Sequence, residues 1–337
     1  MTNIPRVSIC IPTYNRAAMV GRAIKSALEQ TYADLEVIVV DNASDDNTEE
    51  VVRSFLDPRL SYRKNAENLG LFGNFNRCLE EARGEIIHIL HSDDAIEPDF
   101  TARCVAFFDA HPGVGMTFSS AIIETGTSAK ELRHASDDVV YRHPEGFARI
   151  LTDRGMITCP SVMVRRTVYD AVGRFSLEFP YSSDYYTWLQ IARRFDIGYV
   201  AGAHVLYRQG THSETHRLLF ASTAGYFDTL KILARIREEL GADRTAFAPA
   251  LNTALVRFGG DCLFAGFTRT ATMQDVDPVV FAGMALSAGA LLSGGPFERI
   301  PKKCFLALAA FGSAIVMKIP GIRSLVRHIL TRHRTHY

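Results

Sequence analysis

Much that would identify a chain of 337 residues quickly is missing from this one. Its six cysteines, Cys10, Cys78, Cys104, Cys159, Cys262 and Cys304, form no C-x-x-C pair. That argues against a zinc or disulfide framework and for reduced, structural thiols. Thirty-seven basic and 37 acidic side chains cancel to a formal net charge of zero, so no overall field points to nucleic acid. The turn after the first apolar segment reads PTYNR rather than G-x-G-x-x-G, which removes the dinucleotide fingerprint. No P-loop is present, and no nucleophile-elbow pentapeptide supports Ser-His-Asp hydrolysis. The N-terminus, MTNIPRVSIC, enters a strand pattern without a basic and then apolar leader, so no secretory signal is expected.

What is present is ordinary globular material, 47% apolar and 22% charged, enough to bury a core and to form about two domains. Val7–Pro12, Leu35–Val40 and Glu85–Leu90 are apolar, β-branched runs of the kind buried inside parallel sheets. Leu60–Lys64 and Gly115–Ile123 read as further strands. Between them Ala17–Gln30, the segment from Thr48 and Leu71–Ala82 carry helical spacing, as at Val20, Ala23, Ile24 and Ala27. Strands alternating with helices predict a doubly wound α/β domain. Glu124–His143, polar and interrupted by Gly126, is expected to be a surface loop. Ser161–Arg165 reads as a strand, Thr167–Val172 and Asp184–Arg194 as helices, and Ile197–Val200 and Val205–Tyr207 as two short strands. Past residue 215 strand signals give way to helices.

The sharpest chemical signal is Glu85–Phe100, EIIHILHSDDAIEPDF. His91, Ser92, Asp93 and Asp94 fall at the carboxyl end of a buried strand, where open α/β sheets place their ligands. Adjacent carboxylates there call for a cation or for donors between them. Asp94 or Ser92 would equally serve as a helix cap. Further acidic residues at strand or loop ends are Asp41, expected on a strand neighbouring that of Asp93, and Asp184. Such a set suits a nucleoside diphosphate donor: one carboxylate for a base N–H, one for a hard cation, one to take a proton from a hydroxyl.

VSICIPTYNR, LEVIVVDNASDDNT, NAENLG with GNFNRCLEEARGEIIHILHSDD, and VGRFSLEFPYSSDYYTWLQIA follow one another over about residues 5–215. In that order they resemble the successive motifs of family-2 glycosyltransferases. The resemblance implies a doubly wound nucleotide-sugar-binding sheet of the A-type glycosyltransferase fold over residues 1–215; the residue pattern adds a helical C-terminal region over 216–337. The resemblance also implies an inverting transferase that moves a sugar from a nucleotide-diphosphate donor to a saccharide or lipid-linked acceptor, in bacterial-type surface polysaccharide or glycolipid assembly. By motif, Pro12, Thr13, Tyr14 and Asn15 would line the nucleotide pocket and Asp41 would meet the base. Ser92 and Asp93 stand at the metal motif, with Asp93 the ligand of a divalent Mn or Mg. Asp184 occupies the general base's place, and Arg208 and His212 the segment that closes over the diphosphate.

One residue departs from the pattern. Where many relatives begin that motif with Asp, this chain has His91, and a hard cation prefers oxygen to imidazole. Gln190 with Arg193 and Arg194 superficially resembles the signature of processive synthases, but Phe195 breaks it. Plainer roles stay open for several residues: packing for Tyr14, helix capping for Asp41 and Asp184, a surface position for His212. Two rival functions also stay open, a nucleotidyltransferase and a non-catalytic sugar-nucleotide-binding member.

The C-terminus carries one more pattern. From Arg299 onward there is no acidic residue, while basic residues flank the apolar run CFLALAAFGSAIVM. At fourteen residues the run falls short of the roughly eighteen needed to span a bilayer. A basic, apolar-faced helix fits the anionic membrane interface instead. The expected location is cytoplasmic, peripheral on the membrane's inner face.

Overall fold

The computed structural model of the protein describes residues 4–126, 128–210, 224–271 and 283. The chain separates into two compact units, residues 1–221 and 222–337. The first opens with β1 (Val7–Thr13), α1 (Ala17–Leu28), β2 (Leu35–Asp41), α2 (Thr48–Arg53), β3 (Leu60–Lys64), α3 (Leu71–Glu81) and β4 (Ile86–Ile89). Every residue of β1, β2 and β4 is buried. An unbroken apolar run is stable only with both sheet faces covered. Accordingly α1 turns Val20, Ala23, Ile24 and Ala27 inward, one stripe of its surface. The charge in β2 is matched locally: Glu36 accepts from Ser8 Oγ at 2.7 Å and takes two bonds from the Arg83 guanidinium at 2.8 and 2.6 Å.

The chain continues through β5 (Ala95–Ile96), α4 (Phe100–Ala110), β6 (Val114–Thr125), β7 (Ser128–Leu132), β8 (Val139–Tyr141), α5 (Glu145–Thr152), β9 (Met163–Arg165), α6 (Arg166–Val172), α7 (Ser183–Ala192) and β10 (Asp196–Arg208). The ten strands form one sheet, ordered β3-β2-β1-β4-β9-β6-β10-β5, with β7 on β6 and β8 on β10. β3, β2, β1 and β4 are parallel neighbours; β9 is antiparallel to both β4 and β6. The first half is thus the expected wound α/β sheet, and the second half is mixed.

Three expectations are corrected. Glu124–His143 is not a plain loop but holds β7, whose residues are almost all exposed, and β8, only three residues long, so neither carries a strand pattern. Ile197–Val200 and Val205–Tyr207 are parts of one strand, β10, whose register against β6 slips between Val200 and His204. Gly198 within it lies under the Phe107 ring, where an added Cβ would come within 2.2 Å of a ring carbon. Asp41 and Asp93 do not end neighbouring strands: β1 runs between β2 and β4.

In the second unit, α8 (Ala224–Glu239) buries Ile232, Leu233 and Ile236, and α9 (Arg244–Ala271) buries Leu251, Leu255 and Phe258. Tyr226 and Phe258 pack ring to ring at 6.5 Å.

Candidate active site

The carboxyl ends of β2, β1 and β4 lie side by side, so the turns that follow them face one region. Thr13 closes β1 opposite Asp41, the last residue of β2. Beyond Thr13 the chain turns at Asn15 with φ of 51°, and beyond Asp41 it turns at Ala43 with φ of 63°. Non-glycine residues seldom adopt this conformation, and where they do the surroundings enforce it. Here the enforcement is mutual. Asn15 N donates to Ser44 Oγ at 2.8 Å, Asp45 N donates to Asn15 Oδ1 at 3.0 Å, and Asp46 accepts from Ala17 N at 3.0 Å. Pro12 and Thr13 are buried, and Thr13 Oγ1 has no partner. Tyr14 is 46% exposed beside them.

Asp41 is fully buried. Its Oδ1 accepts from Ser44 N at 2.9 Å and Ser44 Oγ at 2.5 Å, and its Oδ2 from Tyr62 Oη at 2.5 Å. Three donors leave one of roughly four lone-pair sites on an ionised carboxylate. Burial and the Asp41 charge push the Tyr62 phenol well above its usual range, so it remains a donor. Asparagines wall the same corner. Asn42 donates to Asn68 Oδ1 at 2.7 Å and accepts from Leu69 N at 2.8 Å, while Asn65 bridges Asn42 and Asn74.

After β4, Ser92 is buried, His91 and Asp93 are half-buried, and Asp94 is 1% exposed. Arg208 N, at the end of β10, donates to Asp94 Oδ1 at 2.8 Å. That bond joins the turn after β4 to the segment expected to close over a diphosphate. Asp94 Oδ2 and His91 Nε2 are both buried without a partner. Burial, then the Asp93 charge, raises the Asp94 carboxyl well above its usual range, while burial lowers the His91 imidazole. One donor atom each from His91, Asp93 and Asp94 lies within 4.8 Å of the others. An unpartnered buried carboxylate oxygen with two further donor groups gathered so closely fits a divalent cation.

Asp184 lies in the first turn of α7, where its Oδ1 accepts from Tyr185 N at 2.8 Å. Burial raises its carboxyl, while Tyr185 N–H and the neighbouring Cys159 thiol pull it back down. Cys159 opens a 3-10 turn, Cys159–Ser161. Burial pushes that thiol up, and the charges of Asp184 and Asp94 push it further.

His88 in β4 holds that turn: its Nε2–H donates to Pro160 O at 2.8 Å. The ring is completely buried, stacked on Phe100, and burial lowers its pKa to about 4. The unfolded chain takes up this proton near 6.5 and the folded chain only near 4, so stability contributed by the neutral ring is complete above 6.5 and lost as pH falls to 4. The cost is about 3 kcal/mol at the low end. His88→Gln keeps an N–H for Pro160 and does not titrate. Urea unfolding between pH 7 and 4 should show a shallower acid loss in that variant; identical slopes would remove His88 as the cause.

Residues 8–173 match the family described as Glycosyl transferase family 2. Over 187 residues the chain is 30% identical to a UDP-Glc:alpha-D-GlcNAc-diphosphoundecaprenol beta-1,3-glucosyltransferase of Escherichia coli, covering 56% of this chain and 70% of that protein. The chain belongs to glycosyltransferase family 2. Solved structures agree on the fold. TarS of S. aureus in complex with UDP-GlcNAc gives a TM-score of 0.58 at 17% identity, over 87% of this chain and 93% of that one. A mannosyltransferase of Pyrobaculum calidifontis in complex with GDP-Man and Mn2+ gives 0.56 at 19%, over 95% and 89%. The sheet is that of the A-type glycosyltransferase fold.

In this glycosyltransferase the structure gathers Pro12, Thr13, Tyr14, Asn15 and Asp41 at one corner, and Ser92, Asp93 and Arg208 around the next turn. His212 lies outside the described residues. Sequence reading missed Tyr62 and Cys159, and it paired Asp94 with Asp93 as carboxylates calling for a cation but named only Asp93 as the ligand. Tyr62 sits in an unremarkable short strand and Cys159 in no motif. The adjacency of Asp94 to Asp93 was the one available signal.

Proposed function

We propose that this glycosyltransferase moves a sugar from a nucleoside diphosphate donor to a hydroxyl of a lipid-linked saccharide, inverting the anomeric carbon. The carrying observation is the turn after β4, where Asp94 Oδ2 is buried without a hydrogen-bond partner, Arg208 N–H holds Oδ1 at 2.8 Å, and donor atoms of His91, Asp93 and Asp94 lie within 4.8 Å of one another. In this reading Pro12, Thr13, Tyr14 and Asn15 line the nucleotide, and the remaining lone pair of Asp41 accepts a base N–H. Asp184, its basicity raised by burial, takes the acceptor hydroxyl's proton as the oxygen attacks from the face opposite the leaving diphosphate. Arg208, Ser92 and the charged turn orient the leaving group. Asp93, with its neighbours, would hold a divalent cation, which when bound supplies positive charge against the diphosphate.

The acceptor reading is supported by the Escherichia coli relative, whose name specifies a diphosphoundecaprenol-linked sugar. The donor reading is supported by that name and by the UDP-GlcNAc and GDP-Man of the similar structures. The test is a melting-temperature screen of UDP, GDP and their sugars with and without Mn2+, followed by transfer to a polyprenyl-diphosphate-linked sugar. Bound ligand raises the melting point according to its affinity. If no nucleoside diphosphate shifts melting and none of the sugar nucleotides is consumed, the reading fails.

We further propose a catalytic domain over residues 1–215 and a helical region over 216–337 that rests on the cytoplasmic membrane face. No described helix is long and apolar enough to cross a membrane. The basic, apolar segment behind this idea lies outside the described residues. Full-length protein should sediment with anionic liposomes at low salt, weakly at high salt, and hardly at all when truncated after Phe297. Full-length protein remaining in the supernatant at low salt would exclude the attachment.

A further inference from the structure

The turn after β4 carries an unusual first residue, and its surroundings give that residue a task. We propose that His91 is itself a ligand of the divalent cation, making this an imidazole–carboxylate site that discriminates against Mg2+ in favour of Mn2+ and Co2+. The inference rests on the cation reading above and goes past it, because that reading does not say which neighbour of Asp93 binds the ion or which ion is preferred.

Geometry carries it. His91 Nδ1 stands 3.5 Å from Asp94 Oδ2. That is too long for a good hydrogen bond. It is close to the separation of two ligands sharing one ion: donors about 2.1 Å from a metal stand about 3.0 Å apart at a right angle and about 3.4 Å apart at a tetrahedral one. The Asp94 side chain is 1% exposed and its Oδ2 has no partner. A buried carboxylate oxygen left so costs stability unless something occupies the space before it. Its other oxygen is fixed by Arg208 N–H at 2.8 Å, the kind of outer bond that aims a ligating carboxylate. The imidazole is steadied from behind by Phe75, ring centroids 5.6 Å apart. Asp93 supplies the third donor within 4.8 Å.

Chemistry then sets the preference. Mg2+ demands oxygen ligands in strict octahedral array and gives up its waters reluctantly. Imidazole suits transition metals, and affinity rises from Mn2+ through Co2+. Exchanging one oxygen for nitrogen therefore costs Mg2+ binding and spares Mn2+ and Co2+. The bond from Arg208 N–H to Asp94 also connects the cation site to the segment that would close on the diphosphate.

The test is a Mn2+ titration followed by electron paramagnetic resonance, on the full-length protein, with Co2+ and Mg2+ as competitors. Co2+ should displace Mn2+ readily and Mg2+ at least about tenfold less well. His91→Ala should weaken Mn2+ binding about 10- to 100-fold. His91→Asp, which restores oxygen, should improve Mg2+ competition about tenfold or more. Melting curves without metal check that both variants fold, and either one suffices if the other does not. Folded variants that keep the wild-type Mn2+ affinity and Mg2+ competition would overturn the assignment while leaving the Asp93 reading intact. If the wild type binds no Mn2+ and its transfer survives a chelator, the cation reading itself fails and this assignment goes with it.

Discussion

Asp184→Asn should leave nucleotide affinity within a few fold and lower turnover by about three orders of magnitude, the scale of a lost general base. The substitution is nearly isosteric. Its amide oxygen still accepts from Tyr185 N, so the first turn of α7 keeps its bond. What goes is the basic lone pair. Burial holds the Asp184 carboxyl above the usual aspartate range, which improves it as a base. The acid limb of kcat should accordingly sit above the ordinary aspartate value. Isothermal titration with nucleoside diphosphate and single-turnover transfer separate the two quantities. A variant that melts lower without ligand, and loses binding together with rate, would show that the helix-capping role dominates.

How far the chain could be read varies with how a residue earns its place. β1, β2 and β4 were legible because full burial on both faces demands unbroken apolar runs, and few other structures tolerate them. The turns Thr13–Asn15 and Asp93 were legible because they end such runs. β7 was not: SAKEL is exposed along almost its whole length, and its pairing with β6 comes from backbone bonds that carry no side-chain signature. β10 read as two strands because the bulge near Gly202 and Ala203 interrupts its alternation. The order of β2, β1 and β4 was equally silent, since crossover connections do not announce which neighbour they reach.

At the site, residues that act through a motif were found and those that act through another residue were not. Tyr62 matters because its phenol occupies a lone pair of Asp41, a relation between strands 21 positions apart in sequence. Cys159 matters because it opens the turn whose Pro160 carbonyl accepts from His88, and its thiol lies near enough to Asp184 to lower that carboxyl. Asp94 looked like a cap, but α4 starts later, at Phe100, and its carboxylate turns instead to Arg208.

Asp93→Asn should lower turnover by about two orders of magnitude, roughly 2.7 kcal/mol of transition-state stabilisation, and should shift the Mn2+ dependence to higher concentration. Asp93 is half-buried in the turn; burial first and then its charge raise the Asp94 carboxyl, and the same charge opposes the lowering that burial imposes on the His91 imidazole. Removing it therefore has two consequences of opposite sign. The cation loses a formal negative ligand, which weakens its hold and the charge opposing the leaving diphosphate. The remaining Asp94 ionises more easily, which returns part of that attraction, so the loss should stop short of abolishing transfer. Raising Mn2+ should recover affinity for donor before it recovers rate. Initial rates over a Mn2+ series, for wild type and variant alike, read both effects. Wild-type transfer that continues unchanged in excess chelator would rule out the metal role of Asp93 altogether.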